Sequence, residues 1–374
     1  MNKIVSKTLI VALIILGLTS FTYLNPLAAG EHHGFQTGKI KRKLNSYFGD
    51  LTTQGLFTGA VLVAKNGKIL LNRGFGLADY ATGRHNTQDT VYAIASMTKA
   101  FTAMSIMILE ERGLLSVNDT LSLYLPDYPD GEDITIHQLL NMTAGVHDFF
   151  DDEALWQNIS TYHEPEEMLQ YFIDDPLDFE PGTQWEYCNS CYILLGIIIE
   201  KVSGMTYRDF IHENILCPLR MRHTSYDPDA MDFLHLKAVG YDTIATLPPP
   251  ISFYLHPTVA FSAGGIFSTV TDMYKWTRAL ETNILVSNET LQRIFTPGLG
   301  NYGYGWYIES LDVADLNRKM IWHWGSYVGY HGFIARFVDD DLFIVMLLNI
   351  TAPNDVPYQL LPFVKGAAEI VLSH

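Results

Sequence analysis

Two hairpin-patterned stretches stand at opposite ends of this chain, and whatever it folds into has to use both. Phe57 to Ala64 and Lys68 to Phe75 flank Asn66-Gly67, a dipeptide whose two residues tolerate positive φ and so close a tight two-residue turn. Far downstream, Gly332 to Val338 and Leu342 to Asn349 are strand-like runs around Asp339-Asp340-Asp341. Upstream of the first pair, Leu44, Phe48 and Leu51 follow Ile40 at helical spacing, and an amphipathic helix is expected over Val356 to Leu372 after the second.

The middle of the chain has a different period. Helical runs are expected over Met97 to Arg112, Ile134 to Met142, Glu166 to Ile173, Tyr192 to Val202 and Met273 to Glu281. The fold class that reconciles ends and middle is α+β: an antiparallel sheet built from both chain ends, flanked by helices, with a large, mainly helical insertion. Of the 374 residues, 48% are hydrophobic and 17% charged, which excludes a largely unstructured chain and supplies a sizeable core.

The first thirty residues read as something other than fold. Lys3 and Lys7 precede an apolar stretch from Leu9 to Leu18, continued to Leu24, and then Ala28, Ala29 and Gly30. That order of positive, apolar and small residues is a secretory signal, or an anchor if uncleaved, since residues 8–24 are just long enough to span a bilayer. The expected organisation is therefore residues 1–30 as signal peptide or signal anchor and residues 31–374 as one domain, exported and either secreted, periplasmic or held on the outer face of the cytoplasmic membrane. Removing two lysines leaves 22 basic against 41 acidic residues, changing the net charge from −17 to −19. Such a balance opposes nucleic-acid binding, which needs a basic face.

Metal chemistry has little to build on. Cys188, Cys191 and Cys217 are an odd, low count that makes no disulfide framework and no zinc site, and no His-Glu-x-x-His pair occurs. Cys188 reads as a small buried residue. His147-Asp148 with Asp151-Asp152-Glu153 could bind a cation or line a cleft, but reads as a solvated acidic loop. No metal or other cofactor is expected.

The residues able to do chemistry come as three short motifs. Ser96-Met97-Thr98-Lys99 opens a predicted helix, where positions three apart share a face, so the Lys99 amine can lie beside the Ser96 hydroxyl. A serine becomes nucleophilic when a base takes its proton, and a lysine serves if burial lowers its pKa. Tyr187-Cys188-Asn189 follows Pro181-Gly182; a phenol beside a lysine can act as general base, and a carboxamide can bind an acyl-group amide or orient the lysine. His323-Trp324-Gly325-Ser326 lies on an expected strand, where glycine admits a substrate backbone and the Ser326 amide can face a developing oxyanion. Each motif singly is noise: chance alone supplies about 0.6 Ser-x-x-Lys in a chain with 18 Ser and 13 Lys.

Their order, Ser-x-x-Lys, Tyr-x-Asn, His-x-Gly, falls at the expected junctions of sheet and helical region. With Gly59-Ala60-Val61-Leu62-Val63, Leu139 to Gly145, Pro181-Gly182-Thr183, Ala263 to Thr269 and Tyr302 to Trp306 around it, the chain resembles the serine β-lactamase and penicillin-binding protein superfamily. The resemblance is strongest to its class C-like branch of esterases, D-aminopeptidases and DD-peptidases, and covers essentially everything after the signal. It implies a β-lactamase/transpeptidase-like fold and an acyl-enzyme hydrolase: Ser96 attacking a carbonyl, Lys99 and Tyr187 sharing the proton work, and the backbone amides of Ser96 and Ser326 holding the oxyanion. Asn189, His323, Trp324 and Gly325 would contact substrate.

His323 stands where β-lactamases of this kind usually carry a lysine. A mostly neutral imidazole followed by Trp324, which has no hydroxyl, cannot bind a substrate carboxylate as that lysine does. Esters or small D-amino-acid peptide amides are therefore expected over β-lactams. A weakly hydrolytic penicillin-binding protein or β-lactamase is the alternative within the enzymes, and a non-catalytic sensor of cell-wall peptide or β-lactam is the alternative outside them.

Overall fold

The computed structural model describes residues 26–226, 233–243, 249–351 and 356–373. The chain divides into a unit of residues 1–39 and a body from Ile40 to His374, and helix α1, Pro26–Thr53, runs through the boundary. The expected signal segment lies outside the described residues up to Asn25. No helix among the described residues is long and apolar enough to cross a membrane.

Both ends of the body do meet in one sheet. Strands β1 (Gly59–Lys65) and β2 (Lys68–Phe75) close over Asn66 and Gly67, whose φ values of 50° and 69° are what the turn demands. Later come β3 (Tyr307–Val313), β4 (Leu316–Tyr327), β5 (Tyr330–Phe337) and β6 (Leu342–Leu348). The order is β2-β1-β6-β5-β4-β3, all antiparallel, with Gly59 opposite Leu348 where the two ends join. The C-terminal strand lies beside the N-terminal one, so strands from both ends are needed to complete the sheet.

Side chains alternate across β1. Ala60 and Leu62 pack into the core on the side of the helical insertion, while Val61 and Val63 join a second core. There Leu44 and Phe48 of α1 and Val364, Ala367 and Val371 of α6 (Val356–Leu372) cover the opposite face. Burial on both faces explains why β1 and β6 read as continuous apolar runs rather than alternating ones.

The insertion supplies α2 (Lys99–Glu111), α3 (Asn189–Ser203), α4 (Pro257–Gly264) and α5 (Val270–Ala279). Two expected helices are shorter or tighter than their periodicity suggests. Residues 136–140 form a brief helix capped by Thr135 and Gln138 and stopped at Met142, whose φ is 62°. The run expected at Glu166 to Ile173 is a 3-10 helix, Pro165–Tyr171. In the helix packing, Gly196 of α3 has no room for a methyl group, since a Cβ would lie 2.1 Å from Ser262 Oγ on α4. That close approach holds α4 against α3 and beside α2.

Candidate active site

The Ser-x-x-Lys motif sits where the sheet meets the insertion. Ala95–Thr98 is a 3-10 turn leading directly into α2, and Ala95 has φ of 49°, a left-handed conformation that costs a non-glycine residue of order 1 kcal/mol or more. The neighbouring strand and helices hold the turn in place. A Cβ on Gly325 of β4 would lie 2.3 Å from Ile94 O, and Ile94 N donates to Ile266 O at 2.9 Å.

Ser96 is half-exposed and Lys99 fully buried. The Lys99 amine has three oxygen neighbours: Ser96 Oγ at 3.2 Å, Asn189 Oδ1 at 2.7 Å and Ala263 O at 2.9 Å. Two of these can only accept, and the third is a hydroxyl. A neutral amine satisfies all three by donating to Asn189 and Ala263 and accepting from Ser96 O–H. Burial lowers the Lys99 pKa from 10.5 to about 7, with the Asp148 carboxylate opposing the shift.

Tyr187 closes over the same group, its ring centroid 4.8 Å from Lys99 Nζ, and that of Tyr192 is 5.5 Å away. The Tyr187 hydroxyl is buried and, among the described residues, has no hydrogen bond of good geometry, the Ser96 hydroxyl being its candidate partner. Burial holds it well above the ordinary pKa of 10, the facing Tyr307 adds to the rise, and the Ser96 hydroxyl pulls the other way. At neutral pH it is a phenol, so of the two bases the sequence offers, Lys99 is the one with a basic form appreciably populated.

Asn189 begins α3, three residues before the expected start of that helix. Its backbone N and Nδ2 both donate to Asp148 Oδ2, at 2.6 and 2.9 Å. Engaged by Asp148 on one end and Lys99 on the other, it has the lysine-orienting arrangement of the two the sequence allowed, while still lining the cleft. Beside it, Cys188 and Cys191 form a disulfide, and Cys217 is free and exposed. The odd cysteine count did not suggest this bridge; the three-residue spacing on the first turn of a helix brings both sulfurs to one side.

His323 is fully buried on β4. Its Nδ1 donates to Trp324 O at 2.6 Å and its Nε2 accepts from Tyr302 O–H at 3.0 Å. Burial and the nearby Lys99 lower its pKa to about 3, so it is neutral. Trp324 stacks on Tyr187 at 6.3 Å. Pairing with β3 stops at Trp322, which leaves His323 to Tyr327 as an edge with β5 alone on the other side. Exposed Ser326 on that edge lines the cleft together with Ser96.

The cleft has a volume of about 300 Å³. Its uncharged polar residues Ser96, Asn189, Ser326 and Thr351 face walls of Phe150, Trp156, Phe253, Leu255, Tyr327 and Val328. Asp242 is its one charged lining residue among those described. His323, Trp324 and Gly325, expected at the substrate, do not line it. The imidazole is turned into the Tyr302 contact, the indole covers Tyr187, and the glycine gives its missing side chain to the Ser96 turn. Sequence reasoning did not pick out Ala263 or Tyr302 as site residues, and it read Asp148 as part of a solvated acidic loop, whereas Asp148 is half-buried and held against Asn189. Among the described residues no group of three or more His, Cys, Asp and Glu side chains could hold a metal ion.

Comparison with known proteins agrees with this fold. Penicillin-binding protein 4* of Bacillus subtilis is 30% identical over 361 residues, covering 89% of this chain and 76% of the relative. The putative penicillin-binding protein PbpX of the same organism is 30% identical over 71% of this chain and 65% of its own length. The crystal structure of a penicillin binding protein from Bacillus halodurans superposes with a TM-score of 0.76 at 29% identity, covering 86% of this chain and 98% of that one. D-amino acid amidase from Ochrobactrum anthropi SV3 shares the fold, with a TM-score of 0.75 at 23% identity over 89% of this chain and 96% of the amidase. The Beta-lactamase family model matches residues 44–368, and the chain belongs to that family of serine hydrolases.

Proposed function

We propose that this protein hydrolyses carboxylic esters or small peptide amides through an acyl-enzyme on Ser96. The observation that carries this reading is the buried Lys99 amine 3.2 Å from Ser96 Oγ with its other two neighbours restricted to accepting. Neutral Lys99 takes the Ser96 proton as Oγ attacks the carbonyl carbon, and the carbonyl π pair moves onto oxygen. The amides of Ser96 and Ser326 are the donors available to that oxyanion. On collapse the leaving group departs with the proton from Lys99, with the adjacent Tyr187 hydroxyl available to pass it on. Water then repeats the sequence on the acyl carbon and frees Ser96.

Substrate preference follows from the walls. A cleft of about 300 Å³ with aromatic and aliphatic sides suits an apolar acyl group, and neutral His323 offers a substrate carboxylate no counter-charge. Neutral or amine-bearing substrates are therefore favoured over β-lactams and peptide C-termini. Similarity to penicillin-binding proteins supports a second reading, a penicillin-acylated enzyme of slow turnover. Export, argued from residues 1–30, belongs to the same proposal.

Intact-mass analysis after a fluorophosphonate or a penicillin tests the nucleophile: an adduct on the wild type that is lost in Ser96→Ala is expected, and one retained by Ser96→Ala would overturn the assignment. A panel of p-nitrophenyl butyrate, nitrocefin and a D-alanine anilide ranks the substrates. The ester is expected to be fastest; nitrocefin turned over faster would overturn the argument from neutral His323, and a stable penicillin adduct with little turnover of any of the three would favour the second reading.

A further inference from the structure

Asp148 has no role in the mechanism above, yet it is the acid most closely tied to the site. It caps the 3-10 turn Phe149–Asp151 by accepting from Phe150 N at 3.0 Å through Oδ1. Its Oδ2 takes both the backbone N–H and the side-chain amide of Asn189. An ionised carboxylate can only accept, so three donors converging on it are consistent with its charged form, and they oppose the upward push of burial on its pKa. Its neighbours in the loop behave differently: Asp151 and Glu153 are exposed, and Asp152 caps the helix that follows by accepting from Ala154 N.

Resting on the reading of Ser96 and Lys99 as nucleophile and base, we propose that Asp148 is a positioning residue that acts on Lys99 through Asn189. A carboxamide has two faces of similar shape, and only one suits this site. With Asp148 accepting from Nδ2, the Asn189 oxygen must face Lys99, where it accepts at 2.7 Å. Turned over, the amide would set its N–H groups against those of the amine. Asp148 thereby fixes which acceptor the lysine sees, and so which way its electron pair points when it faces the Ser96 hydroxyl.

Its charge has a second effect. Around Lys99 are Ser96, the Tyr187 and Tyr192 rings, Asn189, Ala263 O and neutral His323, and Asp148 is the anion that raises the lysine pKa. The other charges near Asp148 are His147, paired with Asp178 at 3.0 Å, and the exposed Asp151.

The test uses the full-length enzyme with p-nitrophenyl butyrate from pH 5 to 10, comparing wild type, Asp148→Asn, Asp148→Ala, Asn189→Ala and the double variant Asp148→Ala/Asn189→Ala. Both Asp148 variants are expected to lose at least about tenfold in kcat/KM at pH 8, and to carry an acid limb at lower pH than the wild type. In the Asn189→Ala background, Asp148→Ala is expected to cost much less than it does alone. Loss of rate with an unmoved acid limb, or fully additive losses, would overturn the proposal in favour of simple structural support. If neither Asp148 variant folds, the wild-type profile decides: a limb near pH 7 or above supports a carboxylate acting on Lys99, and one below pH 6 overturns it. Fluorophosphonate labelling of Ser96→Ala separates the two levels. Labelling that persists there removes the underlying reading, whereas Ser96-specific labelling with unaltered Asp148 profiles removes this inference alone.

Discussion

Lys99 is held at a cost to the fold that its proposed role as base accounts for. Its pKa is about 7 where the unfolded chain has 10.5, so between those values the unfolded state binds a proton that the folded state does not. Stability then rises with pH across that window, by at most about 1.4 kcal/mol per pH unit. Lys99→Met removes the group from both states. The unfolding free energy of the wild type relative to Lys99→Met is expected to climb between pH 7 and 10 and to be flat below pH 6; chemical denaturation at four or five pH values measures it, and parallel curves would mean that Lys99 is solvated. The same pKa sets the catalytic profile. With Lys99 as base and Tyr187 a phenol held well above 10, kcat/KM should rise through pH 7 and stay level to about pH 10. A descending limb between pH 8 and 10 would instead mark a phenolate sharing the site with a lysine ammonium. That Ser96 and Lys99 lie side by side was legible in the sequence because positions three apart in one helical turn are a local matter. Asp148 was not, because forty residues separate it from Asn189 and its acidic neighbours are truly solvated.

Elements carry the site through their closest approaches. The hairpin around Asn66-Gly67 and the pairing of both chain ends could be read from turn chemistry and apolar runs, since register follows when both faces are buried. What the pattern could not disclose is how β4 meets the turn that holds Ser96. His323-Trp324-Gly325 looked like a substrate-facing strip, because alternation along a strand does not tell which face is toward ligand and which toward another element. At Gly325 a methyl group would come within 2.3 Å of Ile94 O and 3.0 Å of Ala95 Cβ. Gly325→Ala must therefore push β4 and the Ser96 turn apart, shifting the nucleophile relative to the Ser326 amide. The expected result is a fall of about 100-fold in kcat/KM and a loss of about 1–3 kcal/mol in stability. Steady-state rates with p-nitrophenyl butyrate and thermal unfolding report both. An unchanged rate would show that these elements can separate without disturbing the oxyanion site.

At the scale of the whole molecule the decisive property is the sign of its charge. The chain carries 41 acidic against 24 basic residues, and both faces of the sheet are given to apolar packing, which leaves most of these charges at the surface. Nothing in the cleft reverses that field: Asp242 is its one charged lining group among the described residues, Lys99 is fully buried, and burial keeps His323 neutral with a pKa near 3. A field of this sign lowers the local concentration of anionic substrate and slows its encounter, and salt removes the effect over a Debye length of about 10 Å at 0.1 M. A p-nitrophenyl ester of glutarate, bearing a free carboxylate, should thus show a lower kcat/KM than p-nitrophenyl butyrate at about 10 mM ionic strength, by about tenfold, with the gap closing toward 0.5 M. A gap that salt leaves untouched would assign the discrimination to direct contact in the apolar cleft. Equal rates at low salt would refute the argument from charge, and with it the inference that the missing lysine on β4 selects for neutral substrates.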